Sequence, residues 1–204
     1  PFQFHEKKTL QGDIRINGIG DASLMGIYQI LNSKNTFHQL NGGFGVKIPI
    51  GKFDEKGISG VNPSFQLGTG SWDYQLAINY KFQKNLFALL INTDYTIKTE
   101  NKKHYQFGNQ WNYALTGFQR IWRNENSIIS GKLGLQGEVY DWNKQFGEVM
   151  PRTAGSALNG KIGFEASYKK WSIGSEVMLP AYTNLASGDI EAKSRFGLFV
   201  NFGI

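Results

Sequence analysis

The chain has 204 residues, 40% hydrophobic and 14% aromatic, with 25 glycines and no cysteine. Its longest apolar run, Leu86 to Ile91, is far short of the ~20 residues of a spanning helix, while the mean hydropathy of −0.36 leaves alternating membrane strands open, since alternation hides their apolar half from an average. The formal net charge of +6 is spread among 16 acids rather than gathered on one face, which excludes a nucleic-acid groove and leaves a mild bias toward anionic lipid headgroups or anionic solutes.

Taken in chain order, apolar residues recur with a period of two and place ten strands near 1 to 7, 20 to 32, 36 to 50, 71 to 83, 86 to 99, 109 to 123, 127 to 141, 156 to 169, 170 to 182 and 193 to 204. Phe2 and Phe4 already alternate after Pro1, with no charged and apolar leader before them and a short first strand, so the chain is expected to be a fragment. The clearest segment is Trp72 to Gln83, in which every even position is large and apolar and the odd positions are polar or small. In the last strand Phe196, Leu198, Val200, Phe202 and Ile204 alternate to the final residue, as the closing seam of a barrel would.

The connections alternate long and short: 8 to 19, Ser33 to Asn35, 51 to 70, Lys84-Asn85, 100 to 108, Asn124 to Asn126, 142 to 155, Lys169-Lys170 and 183 to 192. Short turns on one side and long loops on the other predict an all-β, transmembrane, antiparallel up-and-down β-barrel of the outer-membrane kind, filling residues 1–204 as one domain. The turns also obey parity. A two-residue turn at Lys84-Asn85 pairs Phe82 with Phe87 and hands an even apolar stripe to an odd one, and Lys169-Lys170 does the same. The three-residue turn at Asn124 to Asn126 keeps its odd stripe odd.

Aromatics gather at strand ends. Trp72, Tyr74, Trp111 and Tyr113 form one expected girdle and Tyr80, Phe82, Tyr168 and Trp171 the other, with lipid as the partner between them. Trp122 is a misfit, since strict alternation turns it inward.

Several segments resemble motifs of the bacterial outer-membrane barrels described as transporters and related to the family named for the meta-pathway of phenol degradation. They are Gly18 to Leu24, Gly45 to Gly51, Asn62 to Asp73 with its Leu-Gly-Thr-Gly-Ser-Trp-Asp core, and Tyr105 to Asn109. The resemblance implies an outer-membrane location, a barrel of about twelve strands of which an N-terminal pair would precede Pro1, and transport as a class without a particular solute. It carries no catalytic residues. The glycines of these motifs read as loop geometry, and Gly18-Ile19-Gly20-Asp21 lacks the following helix of a dinucleotide site.

Function is expected in the lumen. Constriction candidates on the polar face are Arg120, Lys132, Glu138, Lys161, Glu165 and Glu176, and the outer end carries Asp73, Asp94, Lys98 and Arg195. Turn parity sets Gln75 opposite Asp94, Asn112 opposite Glu138, Gly163 opposite Glu176 and Gly174 opposite Glu165, so that small residues beside long acids leave room for side chains to cross. The leading expectation is a channel for small solutes, hydrophobic or aromatic compounds included. The alternative is a barrel plugged by its own ion pairs that acts as an anchor or surface-interaction module. His5, His38 and His104 share no ligand spacing, so neither a metal, a cofactor nor an enzymatic site is expected.

Overall fold

The computed structural model of the protein describes residues 2–9, 12–33, 37–53, 66–188 and 190–203, with side chains described from Gly18 onward. Its long strands are β1 (Phe2–Thr9), β2 (Gly12–Ile19), β3 (Ala22–Asn32), β4 (His38–Ile48), β5 (Asp73–Lys84), β6 (Phe87–Ile97), β8 (Gln110–Arg123), β9 (Ser127–Tyr140), β12 (Gly155–Tyr168), β13 (Trp171–Leu185) and β14 (Arg195–Phe202). Two-residue strands β7 (Tyr105–Gln106), β10 (Lys144–Gln145) and β11 (Glu148–Val149) form a small sheet within two of the long loops. Nine strands from β3 to β14 make one antiparallel sheet in which each pairs with its predecessor in the chain, the up-and-down order. The fold is all-β.

Nine of the ten expected strands make up this sheet, the first lying outside it, and three differences stand out. First, the loop expected at 8 to 19 contains β2, which pairs with β1 as a separate hairpin. Asp13, Arg15 and Asn17 alternate with Ile14 and Ile16 there, a pattern too short and too charged to stand out from a loop. Second, Lys84 pairs with Phe87 and Phe82 with Leu89, so the turn is Asn85-Leu86 rather than Lys84-Asn85. Asn85 takes a positive φ of 53°, which Asn tolerates better than Lys, and this places the reversal one residue later. The slip preserves parity but moves cross-strand partners by two. Third, β3 and β14 remain edges with no pairing between them among the described residues. An odd number of alternating strands leaves the outer two parallel to each other, so they cannot close antiparallel.

Bulges adjust the pleat. Between Arg120 and Trp122 the register with β9 shifts by one residue, Ile121 being the extra one, and both Ile121 and Trp122 come to lie exposed at 70% and 47%. This resolves the Trp122 misfit: the bulge, not strict alternation, decides its face. A second shift lies between Leu158 and Asn159, opposite Tyr182 and Pro180. Pro180, which has no N–H for a ladder, sits where the ladder is already interrupted.

The two faces are inverted relative to a globule in water. Leu133 is 68% and Leu198 71% exposed, whereas Lys132 is 8% and Asn159 1% exposed. All eight expected girdle residues lie on the apolar stripes near strand ends, among them Trp72, Trp111, Tyr168 and Trp171 in the open and Tyr80, Phe82 and Tyr113 half-buried. Tyr113 lies across Gly137, and Trp111 packs on it with ring centres 5.0 Å apart.

At Lys169-Lys170 the turn forms as expected, with Tyr168 paired to Trp171, and Lys169 has a φ of 51°. Glycine at 169 removes the left-handed strain of an L side chain, so Lys169→Gly is expected to raise stability by about 0.5–1 kcal/mol. Lys170→Gly, at ordinary φ, is expected to lower it. Urea midpoints of the refolded variants measure both.

Candidate functional site

The inner face is polar and is organised in levels along the barrel. At the long-loop end four charged side chains are buried together: Asp21 just before β3, Lys47 at the end of β4, Asp73 at the start of β5 and Lys98 just past β6. Lys47 Nζ lies 2.8 Å from Asp21 Oδ2 and 2.7 Å from Asp73 Oδ2, and Lys98 Nζ lies 3.3 Å from the same Asp73 oxygen. Asp73 is fully buried. Its Oδ2 makes no directional hydrogen bond and is held by these two charges, while Oδ1 accepts from Ser71 Oγ at 2.9 Å and from the Thr99 N–H at 3.2 Å. Asp21 accepts from the Gly51 and Thr69 N–H groups at 3.0 and 2.9 Å and from Thr69 Oγ1 at 3.0 Å. Lys47 Nζ also donates to Thr69 Oγ1, and Asn101 Nδ2 donates to the Thr69 carbonyl at 2.9 Å.

The glycines of the sequence motifs acquire a reason here. A Cβ on Gly68 would stand 2.5 Å from Gly51 O and 2.6 Å from Asp21 Oδ1, so the loop 66–72 can reach the network only without a side chain at 68. Gly70 has a φ of +69°. Alternation alone places Asp73 and Lys98 in the lumen but gives no sign that Asp21, Thr69 and Ser71 are their partners, although all three belong to the motifs. The stretch Asn62 to Phe65 lies outside the described residues.

Beside this network runs a hydrogen-bonded ladder. Asn112 Nδ2 donates to Asp94 Oδ2 at 2.7 Å, Gln110 Nε2 donates to Asn112 Oδ1 at 2.9 Å and to Tyr140 OH at 3.3 Å, and Tyr140 OH donates to Glu138 Oε2 at 2.9 Å. Glu138 Oε1 then meets Arg195 Nη2 at 3.0 Å. Glu138 is on β9 and Arg195 on β14, three ladder steps apart in the sheet. At a strand spacing of about 4.8 Å those steps cover roughly 14 Å of wall, so this pair spans the lumen as a chord. A cavity of about 410 Å³ sits at this level, lined by Glu138, Tyr140, Arg195, Phe107 and Ile190 among others.

Midway along, Lys132 Nζ pairs with Glu176 at 2.8 Å and stands 4.3 Å from the centre of the Phe199 ring. A Cβ on Gly163 would meet Lys132 Cε at 2.7 Å, and one on Gly134 would meet Lys161 Cε at 3.1 Å. The lysines lie along the wall in notches left by glycines of the next strand. The expected oppositions Gly163 with Glu176, Glu165 with Gly174 and Asn112 with Glu138 are present. Gln75 instead opposes Thr96, and Asp94 opposes Ala77, a consequence of the slipped turn at Asn85. Arg120 and Glu165 lie at the short-turn end beside Lys81, lining a separate cavity. The structure thus groups Lys132, Lys161 and Glu176, and separates them from Glu138 above and from Arg120 and Glu165 below.

His38 Nδ1 is 2.6 Å from Tyr80 OH near the short-turn end, and His104 Nδ1 is 2.6 Å from Glu100 in a long loop. Among the described residues no group of His, Cys, Asp and Glu could hold a metal ion.

The family described as "Putative MetA-pathway of phenol degradation" matches residues 3–178 of the chain. No curated protein matches it.

Burial raises the pKa of Asp21, but hydrogen bonds from Lys47, Thr69 and Gly51 and the lysine charge outweigh it and hold the carboxyl below its usual 3.8. A carboxylate whose folded pKa is depressed adds stability above its unfolded pKa and loses it as pH falls through the folded one. The loop 66–72 is therefore expected to stay clamped above about pH 4 and to loosen below it, read as faster exchange of the Gly51 and Thr69 amides. Gly68→Ala should loosen the same loop at neutral pH, read as proteolysis within residues 51–72.

Proposed function

The chain belongs to this phenol-degradation family, and from that premise we propose that it is an outer-membrane β-barrel channel for small solutes, hydrophobic or aromatic compounds included. One observation carries the reading: the exposed face is apolar from Leu24 on β3 to Phe202 on β14 while the enclosed face holds the charges. Water would not tolerate so large an apolar surface, whereas hydrocarbon favours it, and the polar interior then has no role except to hold water, solute or its own side chains. The strand-end aromatics support an interfacial position at both rims. The long-loop end, with its clamped loops and chord, is the outward end on this reading, and the short turns face the periplasm.

Lys132 and Lys161 lie along the wall over Gly163 and Gly134, which favours a pore. The Glu138–Arg195 chord favours the second reading, a plugged barrel serving as an anchor or surface-interaction module. The two differ in ion current. Refolded protein in planar bilayers is expected to conduct, and Arg195→Ala, which removes the chord, to raise the single-channel conductance. Absence of conductance in both proteins would leave the anchor reading.

Leu133 lies in the middle of β9 on the apolar face. Leu133→Arg is expected to cost about 2–4 kcal/mol in lipid vesicles. Gln136→Lys, on the enclosed face of the same strand, should cost far less, both read by urea unfolding. Equal costs, or a chain that stays monodisperse in buffer without detergent, would remove the membrane reading.

A further inference from the structure

Near the short-turn end the inner face changes character. Ala88 and Leu90 on β6 and Phe118 on β8 point inward, with Ala88 paired to Phe118, and interrupt the polar stripe with a small apolar wall. They line a cavity of about 340 Å³ together with Lys81 on β5, Arg120 on β8 and Glu165 on β12. Arg120 and Glu165 both oppose Ser130, from its two sides, yet they form no ion pair. Lys47, Lys98, Lys132, Glu138, Glu176 and Arg195 are each paired with an opposite charge. Lys161 lies unpaired in its glycine notch, and around this cavity no ion pair joins Lys81, Arg120 or Glu165 to any described residue.

The chemistry of such a pocket is specific. Phe118 and Leu90 offer a flat apolar surface on which an aromatic ring can lie, with a gain from burial and from ring packing. Two cations facing one carboxylate leave an excess of one positive charge, which a monoanion neutralises, and a guanidinium matches a carboxylate through two parallel hydrogen bonds. Glu165, across Ser130 from Arg120, can accept a hydrogen bond from a hydroxyl on the far side of the ring.

We propose that this cavity is a binding site for single-ring aromatic carboxylates, with Arg120 and Lys81 holding the carboxylate, Phe118 and Leu90 the ring, and Glu165 a ring hydroxyl. It rests on the channel reading and gives that channel a solute class. A neutral phenol satisfies the apolar wall but leaves both cations unpaired. An aliphatic sugar satisfies neither.

The test is blockade of the potassium chloride current through the full chain refolded in planar bilayers, with 4-hydroxybenzoate, benzoate, phenol and glucose as probes. The site predicts saturable blockade in the order 4-hydroxybenzoate, benzoate, phenol, with glucose inert. Arg120→Gln and Lys81→Gln should each weaken 4-hydroxybenzoate at least tenfold, Arg120→Lys less, and Glu165→Gln should erase the preference for the hydroxylated acid. Circular dichroism verifies that each variant refolds. Equal blockade by phenol and benzoate, or undiminished blockade in the Lys81→Gln/Arg120→Gln double variant, overturns the site while leaving the channel intact. If the refolded chain carries no current, the channel reading fails separately. Calorimetry on the same sample then decides the site: 4-hydroxybenzoate binding that is lost in the double variant sustains it, and no binding overturns it.

Discussion

Main-chain pairing between consecutive antiparallel strands is the constraint from which the rest of this structure follows. Each N–H and C=O inside the sheet is satisfied by a neighbour, which leaves the side chains to alternate across the wall with no choice of face. Once Leu133 faces out, Lys132 must face in, and the same pleat fixes every residue of β9. Long lysines on an enclosed face then need somewhere to lie. They find it over Gly134 and Gly163 of adjacent strands, so the glycines of the wall are notches for neighbours rather than weaknesses. Bulges are the one device that breaks the rule, and at Ile121 the break frees Trp122 for the apolar surface.

The long-loop end solves a different problem, that of anchoring loops to a rim. Two carboxylates and two ammonium groups are taken out of water together in the Asp21, Lys47, Asp73 and Lys98 cluster, and their equal numbers offset what an unpaired buried charge would cost. The hydroxyls and amides of Thr69, Ser71 and Thr99 fill the remaining acceptor positions. Removal of Asp73 would strand Lys98, whereas removal of Asp21 would leave both lysines on one carboxylate and release Thr69 of the loop 66–72.

Charge is distributed unevenly below that rim. The upper and middle levels carry ion pairs, Glu138 with Arg195 across the lumen and Lys132 with Glu176 along the wall, with Lys161 beside the second pair. The lowest level keeps Lys81, Arg120 and Glu165 apart around an apolar surface. Within the channel reading, a solute passing from the outward end meets first a bridged mouth, next a wall on which Lys132 and Lys161 share Glu176, and last the apolar site with its three unpaired charges. Selectivity would then reside at the periplasmic end.

By itself, the sequence determined the all-β class, the nine strands of the sheet, their order and the face of nearly every residue, because a period of two is written directly in residue polarity and turn parity checks it. It also determined the pairs that depend on an unambiguous turn, such as Gly163 with Glu176 across Lys169-Lys170. It could not decide where a turn falls when two adjacent positions suit it, so Gln75 and Asp94 were misaligned by two at Asn85. Nor could it reveal β2, whose charged alternation resembles a loop, or the Ile121 bulge, which costs one residue of register and has no compositional mark. Only tertiary structure brought Asp21 from before β3 to Thr69 and Asp73, and Arg195 across to Glu138. Those contacts join residues tens of positions apart, and what creates them is the curvature of the wall and the close approach of Gly51 to Gly68, neither of which a local pattern encodes.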